Sequence, residues 1–285
     1  MYTITSMYIL KKIRNLFKEF FILSLIKLFR TRNWSKEISF SKFINKAISL
    51  SYLSNKLRVI YDFKKKIGTY YIDSTLIKSE LCNIGERVAT DKSPYNRKLH
   101  RHPYTSIYNL IFNNLKYKKF NFAEIGILHN KSIRMWREFF PNAIVYGFEF
   151  DEDLIRNAKL EKLRNVFYKK IDVKEINSIK TSFEKTRKKF DIIIDDSTHN
   201  YFDQINIIKN TLPYLNTGGT LIIEDIPKNK KKYSEERFFS SLKNEIKYFD
   251  FFNFIDCDHL NKFSEGWLND RIFILVRNDK KYEKN

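Results

Sequence analysis

The densest chemistry in the sequence lies in Phe190–His199, which reads FDIIIDDSTH. Its apolar residues deliver Asp195 and Asp196 to the rim of a sheet. His199 follows Asp196 by three residues, on the same side if a helical turn begins there. Adjacent carboxylates repel, so a bound cation is a natural reason to keep them. The competing reading is that Asp196 or Ser197 caps the next helix and His199 is a surface residue. A second box, Leu221–Asp225, reads LIIED. If its strand lies beside the first, Asp196, Glu224, Asp225 and His199 meet at neighbouring strand ends. Anionic oxygen ligands suit Mg²⁺ or Mn²⁺ better than zinc.

Three further positions could hold a nucleoside. Glu124-Ile125-Gly126 closes an apolar run, and Gly126 lets the backbone turn tightly toward a ligand. A helix from about Ser132 would present free N–H groups there. No G-x-G-x-x-G occurs, which argues against a dinucleotide pyrophosphate. A cofactor without phosphates needs no such cradle, although the same residues also suit a plain strand-to-helix turn. Glu149, in YGFEFD, can accept from both hydroxyls of a ribose. Asp151 beside it suits a helix cap. Asp172 can accept from an adenine amino group, or cap the next helix.

These residues need a scaffold that gathers strand ends. From about Lys118 the pattern alternates: strands at 120–127, 143–150, 165–171, 190–195 and 220–224, helices at 132–140, 153–164, 173–189 and 201–215. Gly218-Gly219 reads as a turn. Such alternation implies a doubly wound α/β fold with a parallel sheet, whose ligands bind at the carboxyl ends of the strands. Two late strands, 248–255 and 271–276, have no clear helix between them and suggest an antiparallel hairpin. Residues 35–80 look helical.

The 285 residues suffice for one catalytic domain plus an N-terminal extension. Hydrophobic residues make up 43%, enough to bury a sizeable core. Two cysteines, Cys82 and Cys257, exclude a disulfide scaffold and a cysteine-ligated zinc site. A reducing, cytoplasmic setting fits. The net charge of +20 fits nucleic acid, an anionic membrane or an acidic substrate. It equally fits compositional drift, with Lys, Asn, Ile, Tyr and Phe abundant and Gly and Pro scarce. Met7–Phe29 has the pattern of a basic amphipathic helix. Such a helix suits a peripheral membrane contact, packing on the domain, or a second subunit in a homo-oligomer.

With these residues quoted, the chain resembles the class I S-adenosylmethionine-dependent methyltransferases, in particular the metal-dependent sugar O-methyltransferases of the macrocin and mycinamicin type. That family carries a D-D-x-S/T-H box and an E-D pair, here Asp195–His199 and Glu224-Asp225. It also carries T-D-K followed by H-x-Y-T, here Thr90-Asp91-Lys92 and His102–Thr105, with Tyr108 beyond. The second glycine after Gly126 is missing, and Ala89 stands where the family has glycine before T-D-K. The likeness spans about Gly85 to Pro227.

The resemblance implies a Rossmann-like fold, a seven-stranded, mostly parallel sheet ending in an antiparallel hairpin. It implies S-adenosylmethionine and Mg²⁺ (or Mn²⁺) as cofactors and a sugar or glycan as substrate. Asp196, Glu224 and Asp225 would bind metal, with Asp196 and His199 catalytic and His199 the general base. Glu124, Gly126, Glu149, Asp172 and Asp195 would line the cofactor site. The expected organisation is a helical extension at 1–84, a lid or substrate-facing segment at 85–117 and a methyltransferase domain at 118–285. Absence of an N-P-P-Y or D-P-P-Y box disfavours nucleic-acid base methylation. A catechol-type enzyme, an RNA ribose 2′-O-methyltransferase and a non-catalytic membrane-surface protein are the rival readings.

Overall fold

A computed structural model of the chain describes residues 68–96, 100–264 and 268–282. They lie in the second of the chain's two units, Lys46–Asn285. The helix expected at Met7–Phe29 falls outside the described residues.

The apolar runs become the strands of one sheet: β1 (Thr69–Asp73), β2 (Asn121–Ile125), β3 (Ile144–Glu149), β4 (Val166–Lys170), β5 (Phe190–Asp195), β6 (Leu215–Ile223), β7 (Phe249–Asp258) and β8 (Arg271–Arg277). Their order is β1-β7-β8-β6-β5-β2-β3-β4. Strands β2 to β6 pair in parallel, and β8 runs antiparallel to both β6 and β7. Helices α1 (Glu80–Val88), α2 (Tyr104–Phe112), α3 (Lys131–Phe139), α4 (Glu152–Leu160), α5 (Ile176–Glu184), α6 (Tyr201–Thr211) and α7 (Glu235–Ser241) complete the order. The doubly wound α/β sheet with its terminal hairpin is the expected architecture.

Two expectations need correction. The sheet has eight strands rather than seven, because Thr69–Asp73, inside the segment read as helical, is a strand parallel to β7. Its sequence TYYID is aromatic and β-branched, and pairing covers an edge that β7 would otherwise expose. Gly68 N–H fixes the start by donating to Asn253 Oδ1 at 2.8 Å. The Gly218-Gly219 turn is instead an irregularity within β6. Gly218 has φ +74°, and the pairing register with β5 shifts between Phe190 and Ile192.

The sheet is covered on both faces, so its strands are nearly continuous apolar runs. On one face Ile125, Phe148, Phe183, Ile193, Ile223 and Phe273 belong to one buried cluster. Phe122, next to Ala123 of that cluster, points the other way, as strand alternation requires. There it meets Trp136 of α3 at 5.0 Å between ring centres, and Trp136 meets Tyr108 of α2 at 5.4 Å. This aromatic stack seats α2 and α3 against the sheet.

Candidate active site

The chain order reverses between β2 and β5, which opens a crevice at their carboxyl ends. Gly126, Asp195 and Asp196 all lie there. Gly126 N–H donates to the Phe148 carbonyl, and Asp196 N–H to the Ile125 carbonyl, both at 2.8 Å. The two turns pack so closely that a Cβ on Gly126 would lie 2.2 Å from the Asp196 carbonyl oxygen. With φ +86° as well, only glycine fits. The crevice is a cavity of about 550 Å³, in the size range of small-molecule sites.

Of the residues expected at a cofactor, Gly126, Glu149 and Asp172 line this cavity. Glu149 accepts at Oε2 from the N–H groups of Ile127 (3.0 Å) and Leu128 (3.1 Å). Its Oε1 accepts from Phe150 and Asp151. The carboxylate therefore sets the shape of the glycine turn as well as facing the cavity. Asp172 closes a local turn through Lys174 N–H at 3.0 Å, while α5 begins later, after Glu175. Asp151 caps α4, accepting from Asp153 and Leu154.

Glu124 and Asp195 do not reach the cavity lining. Glu124 is buried in β2 behind the site, and burial pushes its carboxyl up to about 7. Asp195 turns under the loop, where its Oδ1 accepts from the Ser197 hydroxyl at 2.6 Å, and burial raises its carboxyl to about 6. Successive residues at a strand end point to opposite faces, so only one of the Asp195-Asp196 pair can face a ligand.

The largest feature the sequence did not assign is Lys92. It is 1% exposed, and its ammonium lies 2.6 Å from Asp196 Oδ2, 3.3 Å from Glu124 Oε1 and against Glu224. Burial opposes its charge, but Asp196, Glu224 and Glu124 outweigh it and hold the proton well above the ordinary lysine value. Glu224 also receives the Tyr108 hydroxyl, and Asp225 the Tyr104 hydroxyl. The backbone explains the two motifs. Lys92 carbonyl accepts from Tyr104 and Thr105 N–H, both at 3.1 Å, and Asp91 carbonyl from His102 N–H. Thr90–Lys92 is thus bonded to the start of α2, which brings Lys92, Tyr104 and Tyr108 together at the carboxylates.

Asp196, His199 and Asp225 form the open side of the cluster. His199 Nε2 is 3.6 Å from Asp225 Oδ2 and 4.0 Å from Asp196 Oδ1. One ligand atom from each of the three lies within 4.8 Å of the others. His199 (φ 53°) and Asp225 (φ 55°) both adopt left-handed backbone, a strained conformation that concentrates at functional sites. Burial raises the Asp196 and Glu224 carboxyls against the pull of Lys92. Burial acts likewise on Asp225, but His102, His199 and Tyr104 hold its carboxyl below the ordinary value. Carboxylates therefore outnumber the built-in cations. A divalent ion would supply the missing charge, so the open side fits Mg²⁺ or Mn²⁺. Glu224 lines the cavity but is not one of the three.

His102 buttresses Asp225 at 3.5 Å. Its Nδ1 meets Asp270 at 2.9 Å, its Nε2 meets His100 at 2.7 Å, and its ring stacks on Tyr104. Burial works against its charge, but Asp225 and Asp270 prevail and raise it to about 9.

Residues 130–269 match a family profile described as a methyltransferase domain. The chain is 23% identical over 182 residues to the Streptomyces olivaceus 8-demethyl-8-(2-methoxy-alpha-L-rhamnosyl)-tetracenomycin-C 3'-O-methyltransferase, covering 59% of this chain and 42% of that protein. It is 25% identical over 158 residues to the Micromonospora griseorubida mycinamicin VI 2''-O-methyltransferase, covering 52% and 36%. The solved MycE methyltransferase from the mycinamycin biosynthetic pathway, in complex with Mg, SAH and mycinamycin VI, superposes with TM-score 0.52. That pair shares 19% identity, over 73% of this chain and 57% of the other. The chain spans less than half the length of these two curated relatives. The fold is the Rossmann-like methyltransferase fold, and residues 130–269 match a methyltransferase-domain profile. Among proteins of that fold, the chain resembles the sugar O-methyltransferases of the mycinamicin and tetracenomycin type.

Proposed function

We propose that the protein transfers a methyl group from S-adenosylmethionine to a sugar hydroxyl, with a divalent ion bound at Asp196 and Asp225. The observation that carries this reading is the placement of Asp196, His199 and Asp225 where the glycine-turn cavity ends. The cofactor supplies an electrophilic methyl group, and the ion lowers the pKa of a bound hydroxyl. Glu149 and Asp172 accept hydrogen bonds from the nucleoside end, and Gly126 lets the backbone approach it. His199 Nε2 takes the hydroxyl proton as the general base. Asp225 orients the imidazole at 3.6 Å. Lys92, Tyr104 and Tyr108 fix the carboxylates, so donor and acceptor meet in one alignment. Such alignment is worth up to roughly 7–11 kcal/mol. Thr90, Asp91, Lys92, His100 and His102 line the cavity on the side that would face the substrate.

The test is turnover of S-adenosylmethionine over a panel of sugars, with Mg²⁺ and with chelator, alongside calorimetry of S-adenosylhomocysteine. The reading expects cofactor binding in both conditions and transfer only with the metal. Metal-independent transfer to RNA, or no cofactor binding, would overturn it.

A further inference from the structure

The lysine run Lys228–Lys232 plays no part in the chemistry above, yet its place is specific. It follows Asp225 and is pinned by Lys228 N–H to the Leu268 carbonyl at 2.8 Å. It ends in a short turn, Lys231–Tyr233. The Tyr233 hydroxyl donates to the His199 carbonyl at 3.0 Å. The run is thus clamped to the turn that carries the imidazole. Between them lies a second cavity of about 430 Å³, walled by Thr198, His199, Asp225, Asn229, Lys230 and Asn269 among others. His199 and Asp225 also line the glycine-turn cavity, so the two spaces meet at the reacting groups.

The acids around this second space already have partners, whereas its lysine has none among the described residues. Asp225 is held by Tyr104 and His102, Asp203 by the Thr198 hydroxyl, and Glu235 by Thr69 and Arg271. Lys228, Lys230 and Lys231 form no ion pair among the described residues, and Lys232 lies over the Phe202 ring at 4.7 Å. Lys230 lines the cavity, and the rest of the run flanks it in sequence, so the run adds a positive field for whatever enters.

We infer that this second cavity takes the acceptor, and that the acceptor is an anionic sugar, with a phosphate or carboxylate held by the lysine run while a hydroxyl faces His199. The inference rests on the methyl-transfer reading and narrows its substrate class. The charged group gives both affinity and register, since only one orientation puts a hydroxyl at the imidazole.

The test uses the full chain saturated with S-adenosylhomocysteine and Mg²⁺. Glucose, glucose 1-phosphate and glucuronate are titrated by calorimetry at low and high salt. At least one anionic sugar should bind roughly tenfold or more tightly than glucose at low salt, with the gap closing as salt screens the lysines. The phosphate and carboxylate arms identify which anion is preferred. Lys230→Gln with Lys231→Gln should erase the preference and leave the affinity for S-adenosylhomocysteine unchanged. Arginine at both positions should keep it. Equal binding of all three sugars, no binding of either anion, or a preference that survives the glutamine pair would overturn the inference. Loss of S-adenosylhomocysteine binding in the parent chain would instead sink the methyl-transfer reading itself.

Discussion

At the scale of single residues, the site is a carboxylate cluster divided by one lysine. Lys92 neutralises Glu124, Glu224 and one oxygen of Asp196, and leaves Asp225 and the other Asp196 oxygen on the open side with His199. Mn²⁺ affinity should therefore fall at least tenfold in Asp225→Asn and Asp196→Asn, and by only a few-fold in Glu224→Gln. Electron paramagnetic titration measures this, and equal losses in all three would refute the division. His199→Ala should retain most Mn²⁺ affinity while turnover drops by about 10²–10⁴. A parallel loss of metal would make His199 a ligand rather than the base. Lys92→Met leaves buried carboxylates uncompensated, which costs about 3–5 kcal/mol. Added Mg²⁺ should restore part of that in urea unfolding.

At the scale of elements, the site depends on packing well behind it. Trp136 of α3 is fully buried between Tyr108 and Phe122. Trp136→Ala should destabilise the chain by about 3–5 kcal/mol. It should also loosen the Tyr108 hydroxyl on Glu224, seen as weaker Mn²⁺ binding under conditions where the chain stays folded. Unchanged unfolding would mean that the stack does not seat α2. Most elements were legible in the sequence, because two-sided burial writes apolar runs such as 192–194 and 221–223. Thr69–Asp73 was not legible. Four half-buried residues and one buried one, Ile72, carry little periodicity, and their partner β7 lies about 185 positions away, as the Gly68–Asn253 bond shows. The helix expected to run through Lys189 ends at Glu184, with Arg187 in left-handed backbone (φ 54°) before β5.

At the scale of the molecule, the buried titratable groups set a pH dependence. Burial raises Glu124 to about 7 and Asp195 to about 6, and the acids around His102 raise it to about 9. All three bind protons more tightly folded than unfolded. Their contribution is complete below the unfolded values and is lost as pH rises through the folded ones. The metal-free chain should therefore lose stability as pH rises from about 4 to about 9, through the carboxylates first and then His102. Urea midpoints in chelator across that range check the sign, and a rising midpoint would contradict it. The described residues contain no helix long and apolar enough to cross a membrane.

The residues alone determined the architecture and the chemical type of the site. Apolar runs spaced by helices can bury themselves only in a doubly wound sheet, and such a sheet brings the ends of its strands together. Asp195-Asp196 and Glu224-Asp225 stand at those ends, so an acidic, metal-compatible rim followed. Tertiary structure alone decided what each acid does. Lys92 lies 104 positions from Asp196 and 132 from Glu224, a pairing that no local pattern encodes. Strand pleating turned Asp195 under the loop while Asp196 faced the cavity, and burial enclosed Glu124 behind the ammonium. Composition could not say whether the lysine run was a bland solvated stretch. Its clamp to the His199 carbonyl, through Tyr233, is a property of the folded chain.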